Sequence, residues 1–151
     1  MATIKFVRGD EQKFVTVEER AKTDPRVAEQ LKERPQTSGS CSVLNFVHHE
    51  GSADEPELLA VRLPAGYKVE AHAHVTDEIV VVTEGEVIFG KQAYGVGSSV
   101  FIPRMTLYGF QAGPEGLTFL NFRPTKNPGT LRRDEFLAKR KAASEQATTS
   151  L

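Results

Sequence analysis

His72 and His74 stand one residue apart, and Glu78 follows four residues after His74. Alternation along a strand puts the two histidines on one face, and a chain reversal after Val75 brings Glu78 opposite them, so two imidazoles and a carboxylate converge. That set suits Fe(II), Mn, Ni or Zn and leaves coordination positions open for oxygenase or Lewis-acid chemistry. Read alone, the string also fits an exposed strand end with ordinary surface histidines. His48 and His49 are adjacent, so alternation sends them to opposite faces and they are not expected to serve one site. Cys41 has no base partner recognisable in the sequence and reads as an inert buried thiol.

The elements around these residues are short and β-rich. From about Ser40 to Pro124 the chain offers the candidate strands CSVLNFVHH, LLAVRL, KVEAHAH, EIVVVT, EVIFG, SSVFI, LYGFQA and LTFLNFRP, separated by LPAG, TEGE, GVG and AGPEG. No helical segment interrupts this run of about 85 residues, so a closed barrel or jelly-roll sandwich is expected rather than a βαβ fold. Ahead of it, Thr16 with Glu19 forms a capping-box pattern, and Asp24 before Pro25 marks a second helix start. That second helix should run to about Arg34, with Val27 and Leu31 on one face, and Pro35 should end it. A C-terminal helix is expected from near Thr130, burying Leu131, Phe136 and Leu137 imperfectly and fraying into ASEQATTSL.

The chain has 151 residues, which suits one domain with its own core. Residues 1–39 read as a charged arm with eight basic and seven acidic side chains, 40–124 as the barrel with five and ten, and 125–151 as a helix and tail with six and three. The net charge of -1 argues against a nucleic-acid or anionic-membrane partner. A single cysteine forms no intrachain disulfide, no apolar run approaches the roughly 20 residues that cross a bilayer, and the opening MATIKFVRGDEQ is charged where a signal peptide is apolar. The expected location is cytoplasmic.

The metal-ligand string sits inside a longer pattern: Gly66, five residues, His72, one, His74, three, Glu78, six, Gly85. This resembles the first motif of the cupin superfamily position for position, and chance agreement at five fixed positions is on the order of one in 10⁵. A degraded second motif follows: Gly97, five residues, Pro103, then Arg104, Met105, Thr106, Leu107 and Tyr108. Met105 stands where the family usually has Gly, Ala112 where it has Asn, and Tyr108 where it has its last metal-binding histidine. The resemblance covers residues 40–124 and implies an all-β fold, a small cupin jelly-roll barrel with short N-terminal helices and a C-terminal helix. His72, His74 and Glu78 carry over as metal ligands, Fe first, with Mn, Ni or Zn as alternatives.

Tyr108 then has three readings: a phenolate ligand, a general acid or base beside an open site, or a sign that the site has drifted. Its hydroxyl is expected to point toward the ion or toward a bound water. Arg104 is a candidate clamp for a substrate carboxylate or enolate, with a plain surface arginine as the alternative. Lys68 and Glu70 share the parity of His72, so Glu70 is a candidate outer partner of the ligands. The implied function is a small Fe(II)-type dioxygenase acting on a compact ketone, enol or phenolic compound. A tyrosine near the metal also resembles the lyases that cleave dimethylsulfoniopropionate, which makes a lyase or isomerase using Tyr108 the nearest rival. A cupin that binds a small ligand without turning it over is the reading from another class. A homodimer is expected, with the N-terminal segment packing on, or adding a strand to, a second subunit.

Overall fold

The computed structural model describes residues 3–33 and 42–150, so Cys41 and the expected stop at Pro35 lie outside the described residues. Among the described residues nine strands form one strongly curled sheet: β1 (Val15–Thr16), β2 (Leu44–His49), β3 (Glu57–Leu63), β4 (Lys68–His74), β5 (Glu78–Phe89), β6 (Gln92–Tyr94), β7 (Ser99–Ile102), β8 (Tyr108–Arg123) and β9 (Thr130–Arg132). Helices α1 (Val17–Ala21) and α2 (Pro25–Glu33) precede β2, and α3 (Arg133–Thr149) closes the chain. β8 is the hub. It pairs with β5 along one edge, and with β3 and then β4 along the other. Inward side chains of β3, β5, β7 and β8 build the core around Leu63, Val80, Val82, Val87, Ile102, Ala112, Leu117 and Phe119.

Two of the expected turns lie inside strands. EIVVVT and EVIFG fuse into β5 across Gly85, and LYGFQA and LTFLNFRP fuse into β8 across Gly116. Both glycines have positive φ, 67° and 89°, and the register between β5 and β8 shifts beside them. A Cβ on Gly85 would lie 2.1 Å from the Gly116 carbonyl oxygen. Glycine in facing strands here lets them bend together over the barrel instead of reversing.

At the N-terminus the Thr16–Glu19 capping box is present, and the Asp24 carboxylate accepts the Arg26 N–H at 3.0 Å to start α2. β1 adds to β2 of its own chain, so the arm's strand completes the sheet intramolecularly. Arg62 stacks over Phe14 at 4.1 Å and helps hold the arm there. At the other end, Thr130–Arg132 is strand rather than helix, because it pairs with His72–His74 of β4. α3 begins only at Arg133, buries Phe136, leaves Leu137 exposed and stays helical to Thr149 instead of fraying. Among the described residues no helix is long and apolar enough to cross a membrane.

Candidate functional site

Strand register assembles the polar centre. His72 lies directly across from Tyr108 on β8, and His74 directly across from Thr130 on β9. Glu57 pairs with Arg123, and the Ile79–Phe122 register places Glu78 on the opposite side of the same arginine. Three adjacent strands therefore carry Glu57, Arg123 and Glu78 in one row. Arg123 donates from Nη1 to Glu57 Oε1 at 2.7 Å, and its Nη2 lies 3.2 Å from Glu78 Oε2.

Glu78 is 1% exposed, which no carboxylate tolerates without partners. Asn121 Nδ2 donates to its Oε2 at 2.9 Å, and the Tyr108 hydroxyl donates to its Oε1. Burial works to raise this carboxyl's pKa, but attraction to His74 and Arg123 and the bonds from Tyr108 and Asn121 outweigh it, so Glu78 is held below its ordinary value. The same surroundings act oppositely on Tyr108, where burial and the neighbouring carboxylate push the phenol well above its usual range. Without a bound cation it is a neutral hydrogen-bond donor.

The two imidazoles meet edge to face with centroids 4.9 Å apart. His72 Nδ1 is 2.8 Å from the Glu70 carbonyl, which can only accept, so that nitrogen carries a proton. The Nδ1 edge of His74 faces Asn127 at 3.2 Å and the Thr130 hydroxyl at 3.4 Å, while Nε2 lies 3.8 Å from Glu78 Oε1. Burial, assisted by Arg123 and His72, lowers the His74 pKa to about 4 against the opposing pull of Glu78. The ring is neutral at pH 7, as a ligand must be.

This depression has a measurable consequence. Unfolded His74 takes up a proton near its ordinary 6.5, whereas the folded ring does so only near 4. Between those values the unfolded state binds more protons, so the stability of metal-free protein falls as pH drops through that window, by up to about 3 kcal/mol. Glu78, depressed in the folded state, continues the loss below pH 4.5 as it too must be protonated. Urea midpoints should fall steadily from about pH 7 to pH 4.5, and His74→Gln should flatten the decline; a flat wild-type profile would contradict the burial described.

A cavity of about 730 Å³ opens on this cluster. His72, His74, Tyr108, Asn121 and Arg123 form its polar wall, Leu59, Val61, Leu63, Val69, Phe110 and Phe119 much of its apolar wall, and Lys68 and Glu70 also border it. Of the candidates from sequence, His72, His74, Glu78 and Tyr108 come together. Arg104 does not: it is exposed, its backbone N–H is tied to Asp77 at 2.8 Å, and it is not among the cavity residues. His48 and His49 both border an outer cleft against Thr3, Lys5 and Val7, because a bulge between Val47 and His49 interrupts the alternation expected there. Sequence reasoning passed over Arg123, Asn121, Glu57 and Asn127. The first two have a visible signal, since alternation in LNFR puts Asn121 and Arg123 on one face; Glu57 and Asn127 have none without the register.

The donors fit a divalent metal in kind, with two imidazoles, a carboxylate and a phenol. On the outer side His72 Nδ1 meets the Glu70 carbonyl and the Nδ1 edge of His74 meets Asn127 and Thr130, while both Glu78 oxygens already accept bonds, Oε1 from Tyr108 and Oε2 from Asn121. Among the described residues no three His, Cys, Asp or Glu side chains stand close enough to hold one ion, so an ion would have to draw these donors inward.

No family model and no curated protein matches the chain. Its structure is similar to that of an RmlC-like cupin from Shewanella frigidimarina (TM-score 0.56, 17% identity, 87% of this chain and 96% of that one). It is also similar to the polyketide cyclase RemF from Streptomyces resistomycificus (0.61, 18%, 87% and 86%) and to an acetylacetone dioxygenase from Acinetobacter johnsonii (0.58, 14%, 82% and 75%). At these identities the likeness speaks for architecture, and the chain carries the fold of a small cupin with a C-terminal helix.

Proposed function

We propose that this cupin is a metal-dependent enzyme acting on a compact ketone, enol or phenolic compound, with the ion held by His72, His74 and Glu78 and with Tyr108 handling a proton beside it. The observation that carries this reading is the gathering of the four side chains beside the cavity: His72 and His74 meet edge to face, His74 Nε2 lies 3.8 Å from Glu78 Oε1, and the Tyr108 hydroxyl bonds that same oxygen. A dioxygenase and a cyclase among the proteins of similar structure support an enzymatic use of the barrel.

A bound divalent ion would supply charge stabilisation to a substrate oxygen and, as Fe(II), a route to oxygen chemistry. The chain supplies the rest. Val61, Val69, Phe110 and Phe119 receive an apolar body and exclude water. Asn121 and Arg123 keep Glu78 ionised and aimed. Tyr108 holds its proton between its own oxygen and Glu78 Oε1, where it can be given to a substrate oxygen that gains negative charge.

The Tyr108–Glu78 bond favours a second reading, a lyase or isomerase in which this pair moves a proton without oxidation. Both readings expect Tyr108→Phe to cut turnover by about 10²-fold or more while metal content is unchanged. A ligand-binding cupin without catalysis expects only a modest change in ligand affinity. Iron-loaded protein is offered a panel of compact diketones, enols and phenols in an oxygen electrode. Oxygen uptake with product formation supports the dioxygenase, turnover without uptake the lyase or isomerase, and no turnover with any compound counts against both.

A homodimer is part of the proposal. Phe101, Ile79 and Phe122, 60%, 40% and 38% exposed, are cross-strand neighbours on β7, β5 and β8 and form an apolar row on the outer sheet face. Light scattering at micromolar concentration should give twice the 16.6 kDa chain mass; a monomer would refute the dimer.

A further inference from the structure

One side chain of the N-terminal arm joins the polar network behind the site. Arg26, in the first turn of α2, donates from Nη1 to the backbone carbonyl of Asn127 and brings Nη2 to 3.7 Å from Glu57 Oε2. Asn127 is 9% exposed, lies in the irregular stretch between β8 and β9, and turns its carboxamide to His74 Nδ1 at 3.2 Å and to the Gly129 N–H at 3.3 Å. Glu57 is 1% exposed and grips Arg123, which in turn grips Glu78. Two lines of contact thus leave Arg26. One runs through Asn127 to His74, the other through Glu57 and Arg123 to Glu78. Arg26 itself is fixed by the Asp24 carboxylate, which receives its backbone N–H and lies 3.6 Å from Arg20.

We infer that Arg26 is a positioning residue for the candidate metal centre: it clamps the 124–129 segment so that Asn127 orients the His74 ring, and α2 is thereby a working part of the site. The inference rests on the metal reading above. An irregular stretch has no ladder of its own, and here it is held by the Lys126 N–H on the Ser52 carbonyl at 2.9 Å and, next to Asn127, by a guanidinium fork with donors for a carbonyl and a carboxylate at once. A lysine has only one ammonium and a different reach. Outer partners of this kind govern how well a ligand ring is presented.

Charge and position predict opposite outcomes on removing Arg26, which makes the test sharp. Taking a cation out of the neighbourhood strengthens the binding of another cation, whereas loosening the ring weakens it. Metal-free wild type, Arg26→Ala, Arg26→Lys and Val27→Ala are titrated with Zn²⁺ against a chromophoric chelator. The ring nitrogens of His74 are followed by NMR in the same metal-free proteins, at a pH of about 8 where the imidazole is neutral. Val27 is buried in the same helix but belongs to neither line of contacts, so its truncation loosens α2 without cutting them.

Arg26→Ala should weaken Zn²⁺ binding by about 10-fold or more and shift or broaden the His74 ring signals, Arg26→Lys should recover part of both, and Val27→Ala should leave affinity within about twofold. Unchanged or tighter Zn²⁺ binding by Arg26→Ala, or an equal loss in Val27→Ala, overturns the inference. Should wild type itself take no Zn²⁺, the metal reading fails and the metal-free ring signals decide alone: His74 resonances unmoved in Arg26→Ala overturn the positioning role too.

Discussion

Replacing Arg123 by Ala should destabilise the protein by about 3–5 kcal/mol, because it strands two buried carboxylates at once. Glu57 and Glu78 are each 1% exposed, and Arg123 is the cation both touch within 3.2 Å. Arg26, at 3.7 Å, reaches only Glu57. With the guanidinium gone, Glu78 keeps Tyr108 and Asn121 as donors but no cation in contact, so it must protonate or draw in water. For a chain of this length a loss of that size lowers the melting temperature by roughly 10 °C or more. Arg123→Lys keeps the charge but cannot span both carboxylates, and should fall between. Chemical denaturation measures the effect, and a loss below about 1 kcal/mol would mean the two carboxylates do not depend on this arginine.

The second large effect concerns binding. His74→Ala should abolish stoichiometric metal while leaving the barrel folded, since the ring fills a site between β4 and β9 rather than the apolar core. A divalent ion left with one imidazole and one carboxylate loses the ligand whose pKa is already set so that it stays neutral at pH 7. Metal analysis after gel filtration, with circular dichroism to confirm the fold, decides it. Full metal retention in the variant would remove His74 from the ligand set.

Much of this was legible before any coordinates. His72 and His74 stand two residues apart on β4, and strand alternation alone places both imidazoles on one face. The C-terminal helix was misplaced by three residues because Thr130, Leu131 and Arg132 suit the start of a helix and a short strand equally, and only β4 opposite them decides. Gly85 and Gly116 read as turns because local sequence cannot tell a reversal from a bend shared by two facing strands.

The site was legible only in its inner half. A spacing pattern shows residues that are near one another in sequence, so it points to His72, His74, Glu78 and, through the second motif, Tyr108. It cannot show that Glu57, far from Glu78 in sequence, becomes its neighbour across Arg123, since that depends on how β3, β8 and β5 align. Arg104 looked useful beside Pro103 but is carried outward by the β7–β8 connection, where its neighbour Met105 takes φ 57° and donates its N–H to the His74 carbonyl at 2.8 Å. That turn bonds to the end of β4.

His72, His74 and Glu78 are proposed to hold one divalent metal ion. Untagged protein purified without chelator or nickel resin, then assayed by mass spectrometry for Fe, Mn, Ni and Zn before and after anaerobic loading with Fe(II), tests it directly. About one metal ion per chain is expected in wild type and almost none in His74→Ala. Wild-type protein that stays folded and holds no metal before or after loading would contradict the account.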